Sequence, residues 1–313
     1  MTSSIEFLRP LHIIGNIYDN GKIENKNISA IEILDDRLVL GADEGCKIAI
    51  LKKTDDNGYR FERTISLNQD ETIVEEEIDI EGIAWDDNKL YVVGSHSYKR
   101  DTIDPDKSYE INHTAIETIT LDPRRNQLFR LTLEATPQIE QTSLQSVIEN
   151  EKVLKLFSEI PSKENGIDIE GIAAHKGFLY IGFRGPVLRG NWVPVLKCKF
   201  AQPITKASLM FVNLGGRGIR DLTRVKDGFL ILAGSVGDGS ESYQVFFWNG
   251  EDCLPDKSHK IGQIEKLGNI PVYPNMKAEG IALVKETKSS YTVLIVFDAV
   301  ENGAPVRLKI RKN

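Results

Sequence analysis

Cysteine is scarce in this chain. Only Cys46, Cys198 and Cys253 occur, far apart, without the C-x-x-C spacing that grips zinc or runs thiol exchange. A reducing, cytoplasmic setting is therefore expected. Histidine is nearly as sparse, with five copies, and the sequence holds no H-E-x-x-H, no G-x-S-x-G and no dinucleotide glycine fingerprint. The N-terminus lacks a basic stretch followed by an apolar core, because Arg9, Pro10 and Asp19 interrupt the one candidate. Neither a signal peptide nor a membrane anchor is expected there. Two glycosylation-type triplets, at Asn27 and Asn112, carry no weight without a secretory route. An excess of cationic charge is also missing: the net charge is -7, which argues against a nucleic-acid surface built on clustered Lys and Arg. The acidic run from Asp70 to Glu81 reads as a solvated loop.

What the chain does have is an ordinary globular composition, 41% hydrophobic and 27% charged, and a repeat. The segment DIEGIAWDDNKLYVVGSHS at 79–97 returns as DIEGIAAHKGFLYIGFRGP at 168–186. Weaker copies stand at 27–45, 218–238 and 277–300. Each pairs an apolar alternating strand with a polar turn and a second strand rich in aromatic and β-branched residues. The shared polar position falls at Ser29, Glu81, Glu170, Arg220 and Glu279, with spacings of 52, 89, 50 and 59 residues. Those are blade lengths, and the stretch after each copy supplies two further strands. In the second unit these are expected at TAIETITLD and NQLFRLTL.

The fold expected is all-β: a five-bladed β-propeller over residues 1–313. The fifth copy is followed by one strand only, VRLKIRK, so EFLRPLHIIG at the N-terminus is expected to close the ring and leave no open sheet edge. The long second interval holds a rough helical rhythm of apolar residues at 139–158, read as a helical insertion. A sixth blade hidden there is the alternative.

Innermost propeller strands line a central channel, so the five shared positions gather in one funnel. Around them come Asp43 and Glu44, then Ser95, His96, Ser97, Lys99 and Arg100, then Arg184 and Arg189, and Ser235, Asp238 and Asp298. Three glutamates at equivalent positions repel unless a cation, a proton or an arginine offsets them, and Arg220 sits among them. Lys99, Arg100, Arg184, Arg189 and Arg217 of the GGRG turn suit phosphate or carboxylate oxygens. A small anionic ligand, phosphorylated or not, is thus the first expectation, for a propeller that either binds it or hydrolyses it. His96, among polar neighbours at a strand end, is the acid–base candidate, with Glu81 beside it; His113 is placed at the start of a third strand. His12, His175 and His259 read as loop or outer-strand positions. Calcium or magnesium would suit Ser29 and the glutamates, but a guanidinium beside them opposes a second cation, and no metal site is favoured. The alternative is a non-catalytic scaffold with a salt-bridged channel and a protein partner, in which the arginines pair with Asp79, Asp168, Asp221 and Asp298.

The phrases DIEGIAW, GSHSYKR, DIEGIAA, FRGPVLRG, GGRGIRDL and KAEGIAL resemble a family of bacterial propellers known only as a domain of unknown function, over roughly residues 28–300. A more distant likeness is to the calcium-activated nucleotidases, five-bladed propellers with Ser or Glu at the start of each inner strand. That likeness implies a calcium-dependent phosphohydrolase using Ser29, Glu81, Glu170 and Glu279, from which Arg220 departs.

Overall fold

The computed structural model describes residues 4–15, 17, 26–56, 58–68, 77–203, 205–239, 241–257, 261–271 and 276–312. Most of the acidic run, residues 70–76, lies outside them, as does His259. Five antiparallel sheets are arranged as a five-bladed propeller. Their first strands are Ile28–Leu34, Ile80–Asp86, Asp168–His175, Gly218–Val225 and Lys277–Glu286. Each touches the next, and the last touches the first, so the ring closes.

Closure uses the N-terminus as expected. Ile5–Pro10 forms the outermost strand of the fifth blade against Val306–Arg311, and Ile13–Ile14 then runs parallel to Tyr59–Arg60 at the edge of the first. One short segment therefore ties the last blade to the first.

The second blade differs from its reading. Its third and fourth strands are Leu128–Leu131 and Ile139–Thr142. TAIETITLD instead divides between an α-helix, Tyr109–Glu117, and a short strand, Ile119–Leu121, that pairs with Tyr98–Arg100 outside the blade. Ser108 caps that helix through its hydroxyl, which accepts from the Ile111 N–H. The helical insertion is real but begins later, as Gln145–Asn150 followed by a 3-10 turn at Leu154–Phe157. Residues 139–142 belong to the sheet, so no sixth blade is needed.

Apolar burial falls into one cluster per blade interface. Leu128, Leu144, Ile148, Ile172 and Phe183 join the second and third blades; Tyr180, Val195, Phe229 and Trp248 join the third and fourth. Similar clusters fill the remaining interfaces. The inner strands approach so closely that a side chain is excluded just after three of the shared glutamates. A Cβ on Gly171 would lie 2.8 Å from the Asp221 Cα, and one on Gly82 would lie 2.9 Å from an Ile172 methyl. Among the described residues, no helix is long and apolar enough to cross a membrane.

Gly171→Ala should therefore strain two backbones that cannot relax independently. A stability loss of about 1–3 kcal/mol in guanidinium unfolding is expected; an unchanged midpoint would show that the strands are not packed this tightly.

Candidate ligand site at the channel mouth

The five shared positions have a common backbone cause. In every first strand the pairing register slips by one residue at that point, between Ile28 and Ala30, Ile80 and Gly82, Ile169 and Gly171, Ile219 and Asp221, and Ala278 and Gly280. Ser29, Glu81, Glu170, Arg220 and Glu279 are thus the extra residues of five β-bulges. A bulge leaves its extra residue out of the ladder and re-aims its side chain. All five line one pocket of about 800 Å³ at the channel mouth.

On the third, fourth and fifth blades the floor of this pocket is a chain of ion pairs. The Arg184 guanidinium contacts Asp168 and reaches Glu170 Oε1 at 2.7 Å; Arg220 Nε lies 3.0 Å from Glu170 Oε2, and its other end meets Glu279. Asp168 and Glu170 are each 2% exposed. Burial lifts Asp168 above its usual range, with Arg184 opposing. Carboxylates this buried persist as ions only with such partners. Tyr243 and Lys277 complete this side of the wall.

On the first and second blades, Asp43 and Glu81 lack that compensation. Asp43 Oδ1 is buried without a hydrogen-bond partner. Burial, then the charges of Asp79, Asp298 and Glu44, pushes its carboxyl up to about 8, against a backbone hydrogen bond from Glu44. Glu81 is held well above its usual range by burial first, then by Glu170, Asp79, Asp43 and Asp168. Among the described residues, neither carboxylate has an ion pair. Ser29, at the first blade's ring position, donates to the Ile80 carbonyl and so ties the first blade to the second.

The rim is less basic than expected. Twelve carboxylates and seven cationic side chains line the pocket, and six of those cations are already engaged. Arg100 pairs with Glu164, Lys163 lies 3.2 Å from Asp238, and Lys277 lies 4.0 Å from Asp298. Arg125 reaches Glu77 and, at 3.3 Å, Asp79. Arg184 and Arg220 are spent in the floor. Only Lys99, among the described residues of the lining, is a cation without an ion pair. Arg189 and Arg217 do not line the pocket. Arg189 is exposed, and Arg217 donates to the Ser242 carbonyl at 2.8 Å. Arg125, supplied by a 3-10 turn at Pro123–Arg125, carries no repeat signal that sequence reasoning could have used. The pairing of arginines with Asp79 and Asp168 follows the alternative reading; Asp221 instead accepts from the Leu222 and Ile281 N–H groups, both at 2.7 Å.

His96, the acid–base candidate, is held by two backbone hydrogen bonds away from the pocket lining. It is 2% exposed, with Nδ1 donating to the Gly94 carbonyl at 2.8 Å and Nε2 accepting from the Leu144 N–H at 3.1 Å. Burial pushes its imidazole down to about 4. The ring is a neutral staple between the second blade and the helical insertion, and it is absent from the pocket lining. Ser95 is buried beside it and meets Ser97, whose side chain does line the pocket, at 2.9 Å. His113 lies on the exposed helix next to Glu117, and His175 ends a first strand.

Calcium or magnesium does not fit this ring. The Arg220 guanidinium lies between Glu170 and Glu279, where such a cation would bind. Among the described residues, no three His, Cys, Asp or Glu side chains are grouped to hold a metal.

These features define a five-bladed propeller with an acidic channel mouth. The chain belongs to the DUF3616 family, described as a protein of unknown function, whose model matches residues 27–146 and 136–309. Comparison with curated proteins gives no match. Among solved structures, glutaminyl cyclase from Myxococcus xanthus superimposes with a TM-score of 0.51 at 10% identity, over 99% of this chain and 97% of that one. Exo-β-1,3-galactanase from Phanerochaete chrysosporium gives 0.48 at 6% identity, over 98% of this chain and 64% of that one. At such identities the cyclase likeness shows a shared fold and leaves chemistry open.

Two stability predictions follow from the charge pattern. Arg220→Met strands Glu279 and leaves Glu170 with Arg184 alone, so a loss of about 3–5 kcal/mol is expected at pH 8, shrinking at pH 5 as the stranded carboxyl takes up a proton. Equal losses at both pH values in guanidinium melts would contradict the ion-pair chain. Asp43 has a folded pKa above its ordinary 3.8, so its contribution to stability declines as pH rises from about 4 to about 8. Asp43→Asn should remove that slope, leaving stability near pH 4 unchanged and raising it at pH 8.5 by about 1–2 kcal/mol.

Proposed function

We propose that this protein is a ligand-binding propeller whose channel mouth receives a small molecule carrying a protonated amine or guanidinium, with Asp43 and Glu81 as its charge partners. One observation carries the reading: the lining has five more negative than positive side chains, and two of its carboxyls, Asp43 and Glu81, stand there with no ion pair among the described residues and are held above their usual range. Carboxylates buried without a counter-ion hold protons at the expense of charge, and an entering cation reverses that balance. Binding near neutral pH therefore expels protons, and affinity rises as pH climbs toward 8.

The same observation turns the reading away from an anion. A phosphate would have to break Arg184 or Arg220 out of buried ion pairs, which leaves carboxylates stranded. Binding is favoured over hydrolysis because both nitrogens of His96 are committed to the backbone. The salt-bridged floor is shared with the scaffold reading, and here it supplies a rigid base under the cation site.

Thermal melting against agmatine and butane-1,4-diamine, beside a panel of phosphorylated metabolites, tests this. At a hundredfold excess over its dissociation constant a ligand adds about 2.7 kcal/mol. Stabilisation by at least one amine is expected, with Glu81→Gln weakening it about tenfold or more and calorimetry at pH 7 registering proton release. Stabilisation by phosphometabolites alone, abolished by Arg184→Glu, would restore the anionic reading instead.

A further inference from the structure

The connection between the second and third strands of the second blade runs from residue 95 to 127, whereas the equivalent connections span 43–46, 186–191, 235–243 and 299–305. It forms a separate flap: a hairpin of Tyr98–Arg100 with Ile119–Leu121, carrying the helix Tyr109–Glu117. That helix has no buried residue. Tyr109 is 74% exposed, Ile111 54% and Ile116 49%, with Ile103 and Ile119 also exposed. Nine residues are too few for a helix to be stable by itself in water, and apolar side chains left this bare mark a surface that meets something.

Two further features say what it meets. The apolar surface is continuous with the acidic pocket: Ile103 and Arg100 line that pocket, and Arg100 donates to the Ile116 carbonyl and lies opposite Ile119 in the hairpin. Beside it, a second cavity of about 720 Å³ runs along Thr120 and Leu121 to Asp122 and Arg124. Lys99, Asp101 and Arg125 line both cavities, which makes them neighbours. The strand Ile119–Leu121 pairs on one side only, and among the described residues nothing pairs with its other edge. A free edge of backbone N–H and C=O groups is the template on which an extended polypeptide adds a strand.

We infer that the ligand is a polypeptide segment: it lies extended along Ile119–Leu121, rests apolar side chains on Ile116 and Ile119, and inserts one lysine or arginine into the cup at Asp43 and Glu81. This rests on the cation site proposed above and adds to it the carrier of the cation. A small amine fills the cup but leaves the flap bare. A lipid surface could cover the apolar patch but has no backbone groups for the free edge.

The test uses the full chain and four pools of fluorescein-labelled heptapeptides, with lysine or glutamine at the centre and either leucine and phenylalanine or serine around it. The lysine pool with apolar flanks should bind about tenfold or more tightly than each of the other three by anisotropy. The double variant Ile116→Ser, Ile119→Ser alters exposed side chains; it should reduce that pool to the level of the serine-flanked one while agmatine binding stays unchanged. Equal binding of both lysine pools, or a double variant without effect, overturns the inference and leaves the amine site standing if agmatine still binds. Flap-dependent binding to phosphatidylcholine–phosphatidylglycerol vesicles with no peptide preference also overturns it. Failure of both agmatine and peptides to bind overturns the site and the inference together.

Discussion

Closing five sheets about one axis leaves the inner edge of every first strand without a neighbouring strand, and most of the channel chemistry comes from how those edges are satisfied. Buried backbone N–H and C=O groups need partners. In this protein polar side chains supply several of them across blades. Asp221 accepts from the Ile281 N–H, Thr223 accepts from the Leu283 N–H at 3.2 Å, and Ser29 donates to the Ile80 carbonyl. A bulge at the start of each strand turns one more side chain toward the axis. The same five places in the backbone thus decide both the joining of blades and the lining of the pocket.

Placing acids at those bulges creates an electrostatic problem that the molecule solves unevenly. Arg184 and Arg220 neutralise Asp168, Glu170 and Glu279 within contact distance, making a rigid ion-paired floor under the third, fourth and fifth blades. Asp43 and Glu81, on the first two blades, receive no such cation, and burial and neighbouring carboxylates raise both carboxyls above their usual range. A fold selected only for stability gains nothing from carboxyls so placed, because amide or apolar side chains would avoid the desolvation penalty. On the reading proposed above, they serve as partners for a positive group on the ligand.

The ring of blades was legible in the sequence because the Glu-Gly step recurs. Glutamate occupies the bulge and glycine fits the close approach of the next strand, so Glu81-Gly82, Glu170-Gly171 and Glu279-Gly280 carry both requirements in two letters. The strand that closes the ring could be inferred because the fifth unit came up one strand short. The second blade was misread for a physical reason: Thr114 to Leu121 is rich in β-branched residues and alternates from Thr118 on, and that pattern outweighed the helix cap at Ser108. The charge balance of the site was misjudged because pairing is set by three-dimensional contact. Arg100 and Glu164 are distant in sequence, and so are Arg125 and Asp79, and nothing in either neighbourhood announces the partner. His96 looked reactive among serines and cations, but a left-handed backbone at that residue, φ 53°, accompanies a ring buried against the Gly94 carbonyl and the Leu144 N–H.

The central claim is that the mouth holds a carboxyl poised for a cation, and a titration of side-chain carboxyl carbons by NMR reads it at the atom concerned. With Asp43→Asn used to assign the signal, Asp43 should titrate near pH 8 in the free protein and shift downward when agmatine is added. A midpoint close to 4 in the free protein, unmoved by the amine, would contradict the account.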